Sequence, residues 1–487
     1  MAKTENHHSR ISYNRTKIVA TLGPASSSSE VLEEMVKAGA DVFRINFSHG
    51  DYSAVEEVIA KIREVNRKLG THVAILGDLQ GPKLRIGEVE NNGVELKEGA
   101  TLTFTTEKMV GNASRVYITY PQFPKDVKPG ENILIDDGKL VLRVDATNGK
   151  DEVTATVLFG GILSSKKGVN LPNTKISLPC LTEKDLNDLE FALKNHFDWI
   201  GLSFVRSGAD IIELKHIIKN IDPESKARVI AKIEKPEAVN DIDNIVRETD
   251  ALMVARGDLG VEVPMQRVPV IQKMLVRKCL EASKPVIIAT QMMESMIQNI
   301  SPTRAEVNDV ANSVMDGADA VMLSGETSVG RHPAKVVEAM SKIISQVEEE
   351  HDLYYTVRKA KFKKDSRYIS DNICYAATQL AKQVDASAII TMTHSGYTAF
   401  RVSSYRPKAS VFVFTSNYSI LTQLSLVWGV RGFYYDKNIS TDHTIADIKF
   451  MLKKDGYVVK DDFIINIASI PLSEKGMTNM IKLTEVE

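Results

Sequence analysis

"KIVATLGPASSSSEVLEEMVKAGADVFRINF", residues 17–47, sets the pattern that decides the fold of this chain. Two short, apolar and partly β-branched runs, 17–23 and 41–47, flank a segment whose apolar residues recur every three to four positions and which ends at Gly39. That spacing predicts an amphipathic helix with the glycine as its C-cap. The stretch therefore predicts a strand, a helix and a second strand.

The same alternation continues along the chain in two blocks. A helix is predicted over 53–70, with Ser53 and Glu56 as its capping box, and a third strand over 72–79. Five more strands alternate with helical segments at 198–204, 228–234, 251–258, 285–290 and 320–326. Eight strand–helix units, split three and five, predict a (β/α)8 TIM barrel.

Two other regions lack this alternation or resume it in a shorter form. Between the two blocks, short alternating runs are separated by Asn-Asn-Gly and Asp-Asp-Gly, which predicts a small all-β domain. After about residue 350, short apolar runs again alternate with helical stretches, which predicts an open-sheet α/β domain. The predicted domains are a barrel of residues 1–82 and 178–350, an inserted all-β lid of 83–177, and a C-terminal α/β domain of 351–487.

Composition excludes several classes of partner. The 487 residues are too many for one ordinary core, and the formal net charge of −2 gives no long-range attraction to nucleic acid or to an anionic membrane. No apolar run reaches the ~18 residues of a membrane-spanning helix. The three cysteines are far apart, which predicts buried free thiols in a reducing, cytoplasmic setting.

Polar side chains follow the predicted barrel strands at the points where the strands end. In a TIM barrel these ends build the active site. Any one of these residues could instead form an ion pair at the barrel rim, but their recurrence from strand to strand predicts a site. They are Arg44, Asn46, Asp78, Ser203, Arg206, Lys232, Glu234, Arg256, Asp258, Thr290, Gln291, Ser324 and Glu326.

Two carboxylates in this set suggest a metal. Lys232 and Glu234 are two positions apart on one strand and so share a face, while Asp258 ends the next strand. Glu234 and Asp258 could together hold one hard divalent cation such as Mg²⁺. Two acids, a metal and several cations are typical of phosphoryl transfer, and the alternative is an ion-pair network that stabilises the barrel. The surrounding cations are Arg44, Lys83, Arg85 and Lys232.

Seven motifs stand in a fixed order along the chain: "RINFSHG" (44–50), "SKKGVNLP" (165–172), "AKIEKPE" (231–237), "MVARGDLG" (253–260), "ATQMMESM" (289–296), "PTRAEVNDVAN" (302–312) and "MLSGET" (322–327). Together they resemble the pyruvate kinase family over nearly the whole chain. The resemblance implies transfer of the phosphoryl group of phosphoenolpyruvate to ADP, giving pyruvate and ATP in the last step of glycolysis. It also implies Mg²⁺, with Mn²⁺ as an alternative.

The resemblance also implies roles for individual residues. Lys232 and Arg44 would bind the transferring phosphoryl group, and Glu234 and Asp258 would hold Mg²⁺. The substrate carboxylate would lie against Ala255, Arg256, Gly257 and Thr290. The nucleotide would contact His49, Arg85 and one of Lys166 and Lys167, and a proton relay to the enolate would use Thr290, Ser324 and Glu326.

One stretch departs from the commonest family pattern. Many members of the family bind K⁺ at positions that match Asn46, Ser48 and Asp78. In those members the stretch at the last position reads Asp-Thr-Lys-Gly-Pro-Glu-Ile-Arg-Thr, whereas here it reads "DLQGPKLRI" (78–86). The glutamate is therefore replaced by Lys83, as in the branch of the family that works without K⁺. We expect its ammonium to supply the charge of K⁺, and the alternative is that Lys83 points to solvent while Asp78 still binds K⁺.

The C-terminal domain and the assembly give further expectations. "TMTHSGYTAFRV" (391–402) keeps a Ser/Thr/Gly loop suited to phosphate, but His394 and Tyr397 replace cations of the regulated relatives. This leaves open a monophosphate effector or none. The resemblance implies a homotetramer. Two rival classes remain at this point, a Mg²⁺-dependent barrel lyase or aldolase and a binding protein on a decayed enzyme fold.

Overall fold

A computed structural model of the chain describes residues 13–48, 51–350, 353–355, 366–437, 440–470 and 477–487. Its first part contains the three barrel strands predicted before the insertion and the two helices between them. Helix α2 begins one residue before the predicted Ser53, with Asp51 as its N-cap and no side-chain capping bond. The predicted Ser53–Glu56 capping box is therefore wrong, because Ser53 already lies inside the helix. The elements are β1 (Lys17–Thr21), α1 (Ser29–Ala38), β2 (Val42–Asn46), α2 (Tyr52–Leu69) and β3 (Ala74–Asp78).

The inserted region is built mainly of strands. A six-stranded sheet in the order β11-β7-β8-β9-β5-β6 and a two-stranded sheet, β10-β4, enclose their own apolar core. These elements are a 3₁₀ turn (Glu90–Asn92), β4 (Gly93–Leu96), β5 (Thr101–Thr105), β6 (Arg115–Tyr117), α3 (Phe123–Asp126), β7 (Asn132–Ile135), β8 (Leu140–Thr147), β9 (Glu152–Phe159), β10 (Gly161–Ser164) and β11 (Val169–Asn170).

Five further strands close the barrel in the order β1-β16-β15-β14-β13-β12-β3-β2, and all pairs are parallel. The predicted TIM barrel is confirmed. Its second block comprises α4 (Glu183–Lys194), β12 (Trp199–Leu202), α5 (Gly208–Ile221), β13 (Arg228–Ile233), α6 (Pro236–Asn240), α7 (Ile242–Glu248), β14 (Ala251–Ala255), α8 (Arg256–Glu262), a 3₁₀ turn (Met265–Arg267), α9 (Val268–Ala282), β15 (Val286–Ala289), a 3₁₀ turn (Glu294–Ile297), α10 (Arg304–Met315), β16 (Ala320–Leu323), α11 (Gly325–Ser328) and α12 (Pro333–Glu350).

The C-terminal region forms an open five-stranded sheet in the order β19-β18-β17-β20-β21. The short apolar runs predicted after about residue 350 form its four parallel strands, β17 to β20. The fifth strand, β21, was not predicted and pairs antiparallel with β20. The elements are α13 (Tyr368–Gln383), β17 (Ala388–Met392), α14 (Tyr397–Ser404), β18 (Ser410–Thr415), α15 (Tyr418–Leu424), β19 (Val430–Tyr434), α16 (Thr441–Lys454), β20 (Phe463–Ala468) and β21 (Met480–Glu485).

Candidate active site

Asp78 lies at the centre of a buried charge network at the carboxyl end of the barrel. It ends β3, and its carboxylate accepts hydrogen bonds from Arg44 Nε at 2.7 Å and pairs with Lys232 Nζ at 3.1 Å. Burial raises the pKa of Asp78, but the charges of Lys232 and Arg44 outweigh burial and hold the pKa below its usual range. The group therefore stays ionised although it is almost fully enclosed.

Lys232 joins three strand ends. Its ammonium lies 2.6 Å from Ser203 Oγ, 3.0 Å from Glu234 Oε1 and 3.1 Å from Asp78 Oδ1. Burial lowers the pKa of Lys232, but the two carboxylates reverse that effect and raise the pKa above its ordinary value. The predicted common face of Lys232 and Glu234 is thus observed as a direct ion pair.

Glu234 and Asp258 form the acidic side of the site. Burial raises the pKa of Glu234 and the nearby Asp258 charge adds to this effect, while Lys232 opposes both. Glu234 Oε2 accepts the backbone N–H of Phe204 at 2.6 Å. Within the described ranges, the Asp258 carboxylate has no hydrogen bond or ion pair, and it lines an open cleft with Gly257 and Lys83.

Thr290 and the start of α8 hold each other in place. The Thr290 hydroxyl accepts the Gly257 N–H at 2.8 Å and donates to Ala289 O at 2.6 Å. The Arg256 side chain makes separate contacts. Its guanidinium donates to both carboxylate oxygens of Asp309 at 2.7 Å and to the backbone carbonyl of Thr290 at 2.7 Å. The expected carboxylate-binding residues Ala255, Arg256, Gly257 and Thr290 are therefore adjacent.

Glu326 is anchored to backbone rather than to other side chains. Its carboxylate accepts the N–H groups of Ser324 at 2.6 Å and Met293 at 3.1 Å, and the residue is 2% exposed. Ser324 lies directly after β16, in line with the other strand ends. The expected relay residues therefore lie at the barrel mouth, with Glu326 fixing the local turn.

The lid presents its cations along one connected segment. Arg85 Nη1 donates to the Lys166 carbonyl at 3.1 Å, Lys166 pairs with Glu88 at 3.1 Å, and Lys167 pairs with Asp136 at 2.8 Å. The two lysines thus have different carboxylate partners. The predicted nucleotide contact His49 lies outside the described residues.

The positions that match a monovalent-cation site are partly occupied by other contacts. Asn46 Oδ1 accepts the Ser48 N–H at 3.1 Å, and Asp78 is held by Arg44 and Lys232. Lys83 is half-buried at the base of the lid, and its ammonium forms no hydrogen bond or ion pair with any residue that the structure describes. It lines the same cleft as Asp258 rather than binding Asp78.

Sequence reasoning missed two contributors to the site. Phe204 adopts a left-handed backbone conformation, with φ 54°, which turns its N–H toward Glu234. Asp309, on α10, fixes Arg256. A non-glycine residue at positive φ leaves no signal in the sequence. Asp309, in contrast, lies within the quoted motif "PTRAEVNDVAN" and could have been identified from the sequence as a candidate site residue.

Comparisons with known proteins agree over nearly the whole chain. The pyruvate kinase barrel domain matches residues 13–337, and the pyruvate kinase alpha/beta domain matches residues 371–484. The pyruvate kinase of Clostridium acetobutylicum is 42% identical over 476 residues, which cover 97% of this chain and 100% of that protein. The pyruvate kinase of Corynebacterium efficiens is 45% identical over 469 residues, which cover 96% of this chain and 97% of the relative.

A solved structure gives the same result in three dimensions. The crystal structure of a pyruvate kinase from Cryptosporidium parvum superimposes with a TM-score of 0.91 at 35% identity, covering 97% of this chain and 96% of that one. With this barrel, site and set of relatives, the protein is an enzyme of the phosphotransferase class. The chain belongs to the pyruvate kinase family. The lyase and the inactive binding protein are thereby set aside.

None of the helices in the described part of the chain is both long and apolar enough to cross a membrane.

Proposed function

We propose that this enzyme transfers the phosphoryl group of phosphoenolpyruvate to ADP, giving pyruvate and ATP at the end of glycolysis. The observation that carries the proposal is the position of Lys232, a buried ammonium at the barrel mouth that touches carboxylates from two strands. A fixed positive charge in a site shielded from water neutralises a transferring phosphoryl group without reorganisation. Arg44, bound to the same Asp78, would act from the opposite side.

The donor set fits Mg²⁺. The charge of Asp258 raises the pKa of Glu234, and a hard divalent cation between the two carboxylates would relieve this repulsion. We propose that these two carboxylates hold the ion, with Mn²⁺ as an alternative. When bound, the ion would polarise substrate oxygens.

The substrate is oriented by this chain's own residues. The first turn of α8, with Ala255, Arg256 and Gly257 at its start, and the Thr290 hydroxyl would hold the carboxylate of phosphoenolpyruvate. Thr290 and Ser324 would pass a proton to the enolate carbon. Because Glu326 is bonded to two backbone N–H groups, its part is to orient this turn. Arg85 and one of Lys166 and Lys167 would bind the nucleotide from the lid.

We propose that turnover does not require K⁺. Asp78 is already compensated by Arg44 and Lys232, and Lys83, whose ammonium pairs with none of the described residues, adds positive charge to the cleft that borders Asp258. A glutamate at position 83 would add negative charge where Lys83 now adds positive charge and would create a demand for a cation.

The test is pyruvate formation from phosphoenolpyruvate and ADP with Mg²⁺ at fixed ionic strength, with K⁺ present or replaced by tetramethylammonium. We expect equal turnover in both buffers, and Lys83→Glu should lose at least tenfold activity in the absence of K⁺ and recover it when K⁺ is added. Lys150→Glu, the same charge change on an exposed lid turn, should stay independent of K⁺. If no pyruvate forms with K⁺ or without it, the proposed reaction is refuted. If Lys83→Glu is equally active with and without K⁺, the proposed role of Lys83 is refuted.

Assembly and regulation are tested separately from the reaction. We expect a homotetramer, which a monomer mass in light scattering would contradict. In the C-terminal domain, Thr393 Oγ1 accepts the N–H of Gly396 at 3.0 Å at the start of α14, which supports a phosphate-binding loop. A shift of the phosphoenolpyruvate saturation curve by a sugar monophosphate or AMP would identify an effector. The three buried free cysteines support a reducing, cytoplasmic setting.

A further inference from the structure

Three buried polar side chains connect the lid to the two acidic strand ends of the barrel. Lys235 Nζ lies 2.6 Å from Glu262 Oε1, and Asn170 Nδ2 donates to the same oxygen at 2.8 Å. Their exposed fractions are 8%, 4% and 9% for Lys235, Glu262 and Asn170. Asn170 belongs to the lid strand β11, whereas the other two residues belong to the barrel. We refer to Asn170, Glu262 and Lys235 as the root latch.

Each barrel member of the root latch is tied to one proposed metal-binding carboxylate. Lys235 directly follows Glu234, and Glu262 lies one helical turn after Asp258 on α8. The Lys235–Glu262 pair therefore joins the backbone segments that carry Glu234 and Asp258. Through Asn170, it joins both segments to the lid.

Stability alone does not account for this arrangement. A buried ion pair gains little over apolar packing unless its remaining atoms are also bonded. Glu262 Oε2 is buried and accepts no hydrogen bond from the described residues, so the pair is incompletely satisfied. Incompletely satisfied buried polar groups of this kind concentrate at functional sites, where positioning outweighs stability.

The surroundings make the latch sensitive to the position of the lid. Val169, next to Asn170, donates its N–H to Leu84 O at 2.9 Å, so the two chain segments that connect the lid to the barrel are bonded side by side. Lys83, Asn170 and Lys235 line one cavity at this junction. The Lys235 ammonium also lies 5.9 Å from the ring of Phe204, whose N–H holds Glu234.

We propose that the root latch is a positioning device, in which Asn170 fixes the lid against the helix that carries Asp258 and so aligns the lid-bound nucleotide with the barrel site. None of its members is among the residues to which we assign substrate, nucleotide or metal binding. The expected effect on ADP kinetics rests on the proposed function, whereas the expected loosening of the lid does not. Loss of the Asn170 bond should loosen the lid while leaving the substrate site in the barrel intact.

The test uses Asn170→Ala in the full chain, with Thr147→Val as the matched control. Thr147 donates to Pro124 O at 2.5 Å, a bond that stays inside the lid. In the ligand-free protein, amide hydrogen exchange of residues 81–86 and 169–171 should rise at least fivefold in Asn170→Ala and stay within twofold in Thr147→Val. Unchanged exchange in Asn170→Ala would overturn the latch.

The kinetic arm separates positioning from mere packing. Asn170→Ala should raise the KM for ADP about tenfold, as expected for loss of a hydrogen bond to a charged acceptor, and leave the KM for phosphoenolpyruvate within twofold. A second variant, Glu262→Met, tests coupling, because it removes the oxygen that accepts the Asn170 hydrogen bond, so adding Asn170→Ala to it should raise the KM for ADP by less than twofold more. Equal increases in both KM values, or additive effects, would overturn the positioning role.

The two proposals fail in different ways. If the wild-type protein forms no pyruvate but exchange at the lid base rises in Asn170→Ala, the reaction is wrong and the latch stands. If pyruvate forms at a normal rate but exchange and the KM for ADP are both unchanged in Asn170→Ala, the reaction stands and the latch is wrong.

Discussion

Carboxylates at the two ends of the barrel are arranged in different ways. At the base, an aspartate directly precedes each of β2, β12, β14 and β16, and its carboxylate accepts a backbone N–H from a neighbouring strand at 2.8–3.1 Å. At the mouth, Asp78 and Glu234 come together on the same ammonium, that of Lys232. The four basal aspartates are Asp41, Asp198, Asp250 and Asp319.

The difference lies in whether a charge can be shared with a ligand. The basal aspartates tie neighbouring strands together through backbone N–H groups, whereas the ammonium of Lys232 lies between two carboxylates at the mouth and can share its charge with a bound anion. The C-terminal domain covers the base, because Asp319 also accepts the Trp428 N–H at 3.3 Å and pairs with Arg406 at 3.1 Å. We therefore expect the mouth to carry the chemistry and the base to carry stability.

The largest expected effect is on catalysis at the mouth. Lys232→Met removes the proposed phosphoryl-binding charge, and kcat should fall at least ~1,000-fold, because no other lysine that the structure describes pairs with Asp78 or Glu234. Asp78 keeps its Arg44 partner, but Glu234 loses its only ion pair with the described residues, so the melting temperature should also fall. Steady-state kinetics on folded protein and a thermal melt measure the two effects. A kcat within tenfold of wild type in the folded variant would contradict the assignment of chemistry to the mouth.

A substitution at the base should lower stability without lowering kcat. Arg406 is 2% exposed, pairs with Asp319 and donates to Gly317 O at 2.8 Å. Arg406→Met leaves Asp319 without its cation, and breaking a buried pair costs about 3–5 kcal/mol, which predicts a melting temperature lowered by about 10 °C. At a temperature where the variant is folded, kcat should stay within twofold of wild type. A tenfold loss of kcat in folded protein would refute the separation of the two ends.

The architecture was predictable because it rests on periodicity. Alternation of short apolar runs with helical segments predicts eight barrel strands and an inserted β region, and the closed barrel is built of those eight strands. Strand β21 was missed because Met480–Glu485 is short, lies at the sheet edge and has no buried residue, so its hydrophobic pattern is weak. Its antiparallel pairing with β20, the preceding strand, is a tertiary contact that the pattern of one segment does not encode.

The site was only partly predictable, for reasons that differ from residue to residue. The common face of Lys232 and Glu234 follows from strand geometry, so their contact could be foreseen. The root latch could not, because Asn170 and Glu262 are 92 positions apart and meet only when the lid folds back. Neither could the left-handed backbone of Phe204, since a conformation imposed by tertiary contacts leaves no local trace.

The smallest expected effect tests whether a basal carboxylate is a purely structural group. Burial raises the pKa of Asp198 from 3.8 to about 6, and its hydrogen bonds from Thr422 and Ile75 only partly oppose this. A native pKa above the unfolded value favours the native state below about pH 4, and this contribution is lost as pH rises through about 6. Asp198→Asn cannot ionise, so its melting temperature relative to wild type should increase by a few degrees between pH 4 and pH 7. The exposed control Glu224→Gln should show no such trend, and a wild-type stability that rises more steeply with pH than that of Asp198→Asn would reverse the assignment.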